Sequence, residues 1–193
     1  AFSTTLYPGN GGTQTIDVGI DLTQKGLLWF KGTGGSGFAT DVNFHCLFDS
    51  ERDDWGSMLM SDDTDAAANW ASYGWNPVPN KDGSISNLKA NINNSNVDFV
   101  VWAFRAAPGF MDIVEHDGND DSSRQIAHSL KTVPSVIISK AVNASANWGV
   151  YHKSTGSNGF YLDAPNGKGV TGVPTNHTST TFEVKKGYGI DNL

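Results

Sequence analysis

Residues 2–31 of this chain recur as residues 110–140, and self-similarity at the scale of a domain constrains the fold more than any local motif. The landmarks return in order. Gly9-Asn10 matches Gly118-Asn119, Ile16 to Ile20 matches Ile126 to Leu130, and Leu27-Leu28-Trp29-Phe30-Lys31 matches Val136-Ile137-Ile138-Ser139-Lys140. Further on, His45-Cys46-Leu47-Phe48-Asp49 matches Trp148-Gly149-Val150-Tyr151-His152, and Ser84-Ile85-Ser86-Asn87-Leu88 matches Gly189-Ile190-Asp191-Asn192-Leu193. The spacing is roughly 105 residues, that of a whole domain rather than a solenoid unit.

Each copy reads as short β-branched or aromatic runs separated by Gly-, Asn- and Pro-rich turn signals, as at residues 8–12, 32–37, 80–83, 117–121 and 166–169, a spacing that suits a β-sandwich. The expected fold is all-β: two tandem β-sandwich modules of jelly-roll or lectin-like type, residues 1–108 and 109–193, the second incomplete at its C-terminal end. In the first copy Asp98-Phe99-Val100-Val101-Trp102-Ala103-Phe104-Arg105 reads as a buried strand. The second copy stops before its counterpart, and a sheet lacking a central strand exposes backbone and apolar surface, so the polypeptide is expected to continue beyond Leu193. One helical candidate stands at residues 63–71, where Ala66-Ala67-Ala68 follows N-cap residues.

Composition narrows the function classes. The net charge is −7, with Lys and Arg unclustered, whereas nucleic-acid binding draws on basic patches that displace counterions, so no nucleic acid is expected. No run approaches the apolar length of a membrane span, so no membrane insertion is expected. A single cysteine, Cys46, rules out an intramolecular disulfide. It alternates with Phe44 and Phe48 as a small core residue would.

The motifs that carry chemistry are thin. Gly32-Thr33-Gly34-Gly35-Ser36-Gly37 fits G-x-G-x-x-G, but strand-like residues 38–44 follow where a phosphate-binding helix should start, so a β-β connection is expected. Asp117-x-Asn119-x-Asp121 has the alternating oxygen spacing of a calcium loop without its Gly at the sixth position or its Glu at the twelfth, where His128 stands. A hairpin turn is the preferred reading, with calcium the one ion considered and no other cofactor expected. Asp62-Asp63-x-Asp65 reads as an acidic helix start. His45 and Cys46 are strand neighbours on opposite faces and cannot share a proton. No Ser elbow occurs, and no particular pair of carboxylates stands out for glycoside hydrolysis. The chain is not expected to be an enzyme.

Aromatic residues are the candidate binding groups. Trp55, Trp70, Tyr73 and Trp75 lie in an Asp- and Asn-rich stretch of the first copy, whereas the matching stretch of the second offers Phe160 and Tyr161. Flat rings beside Asp and Asn suit stacking on sugar faces; the competing expectation is that they pack beneath a long loop. Sequons at Asn93, Asn143 and Asn176 are those expected by chance in an Asn-rich chain.

Residues 7–16 (YPGNGGTQTI), 45–52 (HCLFDSER), Phe99-Val100-Val101-Trp102-Ala103-Phe104-Arg105 with Gly109-Phe110, and 147–153 (NWGVYHK) together resemble a repeated module of tail fibre proteins in tailed bacteriophages. The resemblance covers nearly the whole chain and rests on structural signatures. It implies a structural virion protein, homotrimeric as fibres usually are, that joins other tail proteins and links the tail to, or engages, the host surface; a host surface glycan is the ligand that the aromatic residues would take. It supplies no catalytic residues. His152-Lys153 replaces the Asp49-Ser50 of the first copy, so an ion pair between Asp49 and Arg52 is not expected to recur. A lectin-like carbohydrate-binding module, a virion decoration or adaptor protein, and a polysaccharide-degrading tail enzyme are the alternatives.

Overall fold

The computed structural model describes residues 1–35, 44–118, 122–165, 169–170 and 173–185. The chain is all-β and divides into two compact units, one formed by Ala1–Met60 with Ala68–Ala106, the other by Ser61–Ala67 with Ala107–Leu193.

In the first unit, β1 (Phe2–Pro8), β3 (Gly26–Gly34), β4 (His45–Asp49), β5 (Ser57–Met60), β6 (Ala68–Asn69) and β9 (Asp98–Arg105) form a six-stranded antiparallel sheet in the order β1-β9-β3-β4-β5-β6. A three-stranded sheet, β2-β8-β7, is built from β2 (Gln14–Asp17), β7 (Val78–Pro79) and β8 (Ser84–Leu88). Residues alternate between the faces of a strand. Accordingly Leu28 and Phe30 of β3, Cys46 and Phe48 of β4, and Phe99, Val101 and Ala103 of β9 enter one hydrophobic cluster with Ile16, Ile85 and Leu88 of the smaller sheet. Tyr7 joins it, stacked on Phe99 at 5.4 Å, and its hydroxyl donates to the Ile92 carbonyl at 2.6 Å. The opposite face of the large sheet is also apolar at Phe2, Leu27, Trp29, Trp102 and Phe104, with Trp29 and Trp102 meeting edge to face at 5.9 Å.

The turn at residues 9–12 packs tightly. Gly11 has φ +71°, and a Cβ there would strike the Ser95 hydroxyl, so glycine meets both the left-handed backbone and the close approach. Beside it Asn93 is fully buried. Its amide donates to Asn10 Oδ1, the Gly12 carbonyl and the Leu88 carbonyl at 2.9, 3.1 and 3.1 Å. Arg52 and Asp49 are buried as well, with Arg52 Nε and Nη2 on Asp49 Oδ2 at 2.7 and 2.6 Å.

The second unit contains β10 (Ser123–Ala127) paired with β14 (Thr181–Lys185), and a three-stranded sheet β11-β12-β13 from β11 (Val136–Ser139), β12 (Gly149–His152) and β13 (Phe160–Tyr161). Ile126, Trp148, Tyr151, Val173 and Val184 are buried in it. Residues 189–193, matched to β8 in the sequence, lie outside the described residues, as do Asn119 and Asp121 of the calcium expectation and residues 38–43 after the glycine-rich motif.

The helix expected at residues 63–71 does not form. Among the described residues, helical backbone is confined to three-residue 3-10 turns such as Asp53–Trp55 and Ala71–Tyr73. The alanines are engaged otherwise. The Ala67 N–H donates to the Val142 carbonyl at 2.7 Å and the Thr64 carbonyl accepts from the Ala146 N–H at 2.9 Å, while Ala68 pairs with Met58 in the sheet. Tertiary hydrogen bonding has overridden alanine's helix propensity.

Candidate functional site

The four candidate aromatics do not share one environment. Trp55 sits in a 3-10 turn in which Asp53, Asp54 and Trp55 all have positive φ, +47°, +46° and +69°. Left-handed backbone costs roughly 1–2 kcal/mol per non-glycine residue. Several bonds hold the turn: Ser57 Oγ donates to Asp53 Oδ2, the Gly56 N–H to the Asp53 carbonyl, and the Gly56 carbonyl accepts from the Trp70 and Ala71 N–H groups. The same bonds place Trp55 and Trp70 in the core cluster. Both rings therefore pack rather than face solvent, and the exposed members are Tyr73 and Trp75.

These two are displayed on a ladder of rings that climbs out of the core. Phe30 meets Phe48 at 6.0 Å, Phe48 meets Trp70 at 5.8 Å and Trp70 meets Trp75 at 5.7 Å, each edge to face. Trp75 then stacks on Tyr73 at 5.2 Å with 30° between the planes. Tyr73 is 67% exposed and Trp75 39%. The chain turns back on itself at Gly74, φ +65°, which returns the Trp75 N–H to the Trp70 carbonyl at 3.2 Å. Asn87 Nδ2 braces the turn by donating to the carbonyls of Gly74 and Asn76 at 3.0 and 2.9 Å, and Lys89 Nζ reaches Gly74 O at 3.4 Å. The result is an anchored aromatic surface whose neighbouring amide, ammonium and hydroxyl groups, the last from Ser72, bond backbone carbonyls around the turn.

Of the acidic loop, Asp117 is described and its carbonyl lies 3.3 Å from His116 Nδ1. Among the described residues no group of His, Cys, Asp or Glu side chains has the clustering of a metal site. His45 accepts from Trp29 Nε1 at 2.9 Å while Cys46 points into the core, so the two face apart, as strand geometry requires.

A second feature lay beyond sequence reasoning. In the second unit a hollow of about 380 Å³ is lined by Tyr151, Ser157, Thr175, Asn176, His177 and Lys185. The His177 ring stacks on Tyr151 at 3.9 Å. Burial is the main cause that lowers its pKa, with a smaller contribution from His128, against a hydrogen bond from the ring to the Pro174 carbonyl that raises it. The hollow joins the turn after β12, at Gly156 and Ser157, to residues 174–177, and no local pattern predicts such a meeting.

Among the described residues no helix is long and apolar enough to cross a membrane. Comparison with known proteins gives one family match: the model of a domain of unknown function (DUF7483) covers residues 1–190. No curated protein and no solved structure matches the chain.

Proposed function

The chain belongs to the DUF7483 family, and we propose that it serves as a non-enzymatic structural segment of a virion, built from tandem β-sandwich modules in a phage tail fibre. The observation that carries this reading is a shared strand register. Leu27, Leu28, Trp29 and Phe30 pair with Asp49, Phe48, Leu47 and Cys46 in the first unit. Their sequence counterparts Val136, Ile137, Ile138 and Ser139 pair with His152, Tyr151, Val150 and Gly149 in the second. The counterpart pairs fall in the same order, each with its own partner. The β4-β5 pairing has an analogue in β12-β13, whereas β10, the counterpart of β2, pairs with Thr181–Lys185, a segment other than the sequence match of β8. Repetition of one module favours a part that builds length and spreads many weak contacts over symmetric copies. Homotrimeric assembly, contacts to other tail proteins and engagement of the host surface belong to the same proposal. Immunogold electron microscopy of the particles encoded by the same genome tests it: label along the tail supports a fibre, label on the head points to a decoration protein, and particles without label sink both.

The exposed Tyr73 and Trp75 rings favour carbohydrate recognition as a second reading, with host surface glycan as ligand. On a glycan array the unaltered chain should bind, and Tyr73→Ala and Trp75→Ala should lose that binding. Binding indifferent to both substitutions removes the site.

A further inference from the structure

We propose that two copies of this chain join through the free edge of β1, antiparallel about Thr4, so that the six-stranded sheets of the two copies become one. β1 is an edge strand, bonded to β9 on one side only. The direction of its backbone groups follows from the ladder. The Arg105 N–H donates to the Ala1 carbonyl and the Gly9 N–H to the Val97 carbonyl, both continuing the register that pairs Phe2 with Phe104 and Pro8 with Asp98. In an antiparallel pair the hydrogen-bonded positions alternate. Residues of odd number therefore bond β9, and the N–H and C=O groups of Phe2, Thr4 and Leu6 point away from the sheet. Pro8, with no N–H, ends the open run.

Edge strands of soluble proteins usually carry lysine, an interior proline or a bulge that discourages pairing. β1 carries none of these between Phe2 and Tyr7, and its register with β9 is unbroken. Instead Leu6 is 75% exposed and Phe2 51%, with Thr4 exposed between them on the same face. A second copy fits this edge better than an unrelated strand does, because the edge is complementary to itself. Placing Thr4 on the two-fold axis sets Phe2 opposite Leu6 of the second copy and Leu6 opposite its Phe2. It also makes Phe2, Thr4 and Leu6 the hydrogen-bonding positions of the new pair, each exchanging both backbone bonds. The apolar cross-strand pairs then continue the Phe2–Phe104 ring contact at 4.9 Å. An isologous contact of this kind closes as a dimer.

Sedimentation across a range of concentrations, with four variants, tests the proposal. The unaltered chain should form a dimer. Leu6→Lys should abolish it, and so should Thr4→Pro, which removes an outward N–H that β9 does not use, while circular dichroism and melting stay those of the unaltered chain. Because Thr4 meets itself at a Cα separation of about 5.5 Å, within reach of a disulfide, Thr4→Cys should cross-link on oxidation and the likewise exposed Leu6→Cys should not. Cys46, buried in the core, stays out of the reaction. A monomer at every concentration, an association that survives Leu6→Lys, or equal cross-linking of both cysteine variants overturns the proposal. The edge contact does not rest on the fibre reading and is an alternative to its three-fold assembly: a dimer lost in Leu6→Lys speaks for edge pairing and against the trimer, and a trimer untouched by Leu6→Lys the reverse.

Discussion

Asn93 and Asn10 hold each other reciprocally: Asn93 Nδ2 donates to Asn10 Oδ1 at 2.9 Å, and the Asn10 N–H donates to Asn93 Oδ1 at 3.0 Å. The same Asn93 amide also satisfies the Gly12 and Leu88 carbonyls, tying the turn after β1 to the chain that leads into β9. Removing one partner from a buried hydrogen bond costs about 1–3 kcal/mol for each polar group left unpaired. Asn93→Ala should therefore destabilise the chain by at least about 2 kcal/mol, read as a lower urea midpoint. Asn93→Asp replaces the donating amide by an acceptor and should be no better tolerated. A midpoint unchanged by Asn93→Ala would show that the turn is held by its glycines alone. This asparagine is also fully buried, so its sequon is no acceptor for glycan in the folded chain.

Asp49 and Arg52 form a two-pronged ion pair inside the first unit, and Asp49 Oδ1 in addition accepts the N–H groups of Glu51 and Arg52 at 3.0 and 3.1 Å. Breaking a buried pair from one side strands a charge and costs about 3–5 kcal/mol. Arg52→Ala and Asp49→Ala should each approach that loss, and the double variant should lose less than the two together. Arg52→Lys should behave as a disruptive change because an ammonium cannot reproduce the planar fork. Additive losses in denaturant titrations would mean that the two side chains act separately.

The patterns that were legible before the structure were those that concern one strand at a time. Phe99, Val101 and Ala103 alternate into the core and Asp98–Arg105 forms the strand between β1 and β3, as its β-branched and aromatic composition indicated. The burial of Cys46 followed likewise from its alternation with Phe48. What could not be read are meetings between distant segments. The Ala66-Ala67-Ala68 run gave a local helix signal, but residues 142–146 supply hydrogen bonds that make an irregular chain cheaper. Trp55 and Trp70 stand in a polar stretch whose sequence leaves both packing beneath a loop and sugar stacking open. The left-handed turn at Asp53–Trp55 that carries Trp55 inward is held by contacts to Ser57, Trp70 and Ala71, and nothing in a run of Asp-Asp-Trp announces positive φ.

Alkaline and mildly acidic pH should weaken the fold for different reasons. Burial, and to a lesser degree the nearby Cys46, raise the Tyr7 pKa well above its ordinary value of 10.0. The folded chain thus keeps the phenol protonated after the unfolded chain has begun to lose its proton. Tyr7 contributes fully below pH 10 and progressively less as pH rises from there toward its folded pKa. Tyr7→Phe should remove that alkaline slope while costing about 1 kcal/mol at neutral pH for the lost bond to Ile92. His177 acts at the other end. Its folded pKa lies below 6.5, so its contribution is complete above that value and is lost as pH falls through the folded pKa. Melting temperature against pH, with Tyr7→Phe and His177→Gln, separates the two; an unchanged alkaline limb in Tyr7→Phe would assign it to other groups.

The ring ladder predicts a graded response along its length. Trp70 is buried between Phe48 and Trp75, and replacing a buried Trp by Ala costs about 3–5 kcal/mol. Trp75, half in solvent, contributes chiefly its edge-to-face and stacked contacts, so Trp75→Ala should cost about 1 kcal/mol. Tyr73, mostly exposed, should cost about 0.5 kcal/mol or less. Urea titrations of the three alanine variants should fall in that order. Binding to any glycan recognised by the unaltered chain should follow a different order, with Tyr73→Ala and Trp75→Ala losing it although both remain folded. If Tyr73→Ala were the most destabilising of the three, the ring would be a packing element and not a displayed one. A stacking surface fixed from below by Trp70 and left open above is the arrangement in which stability and recognition come apart.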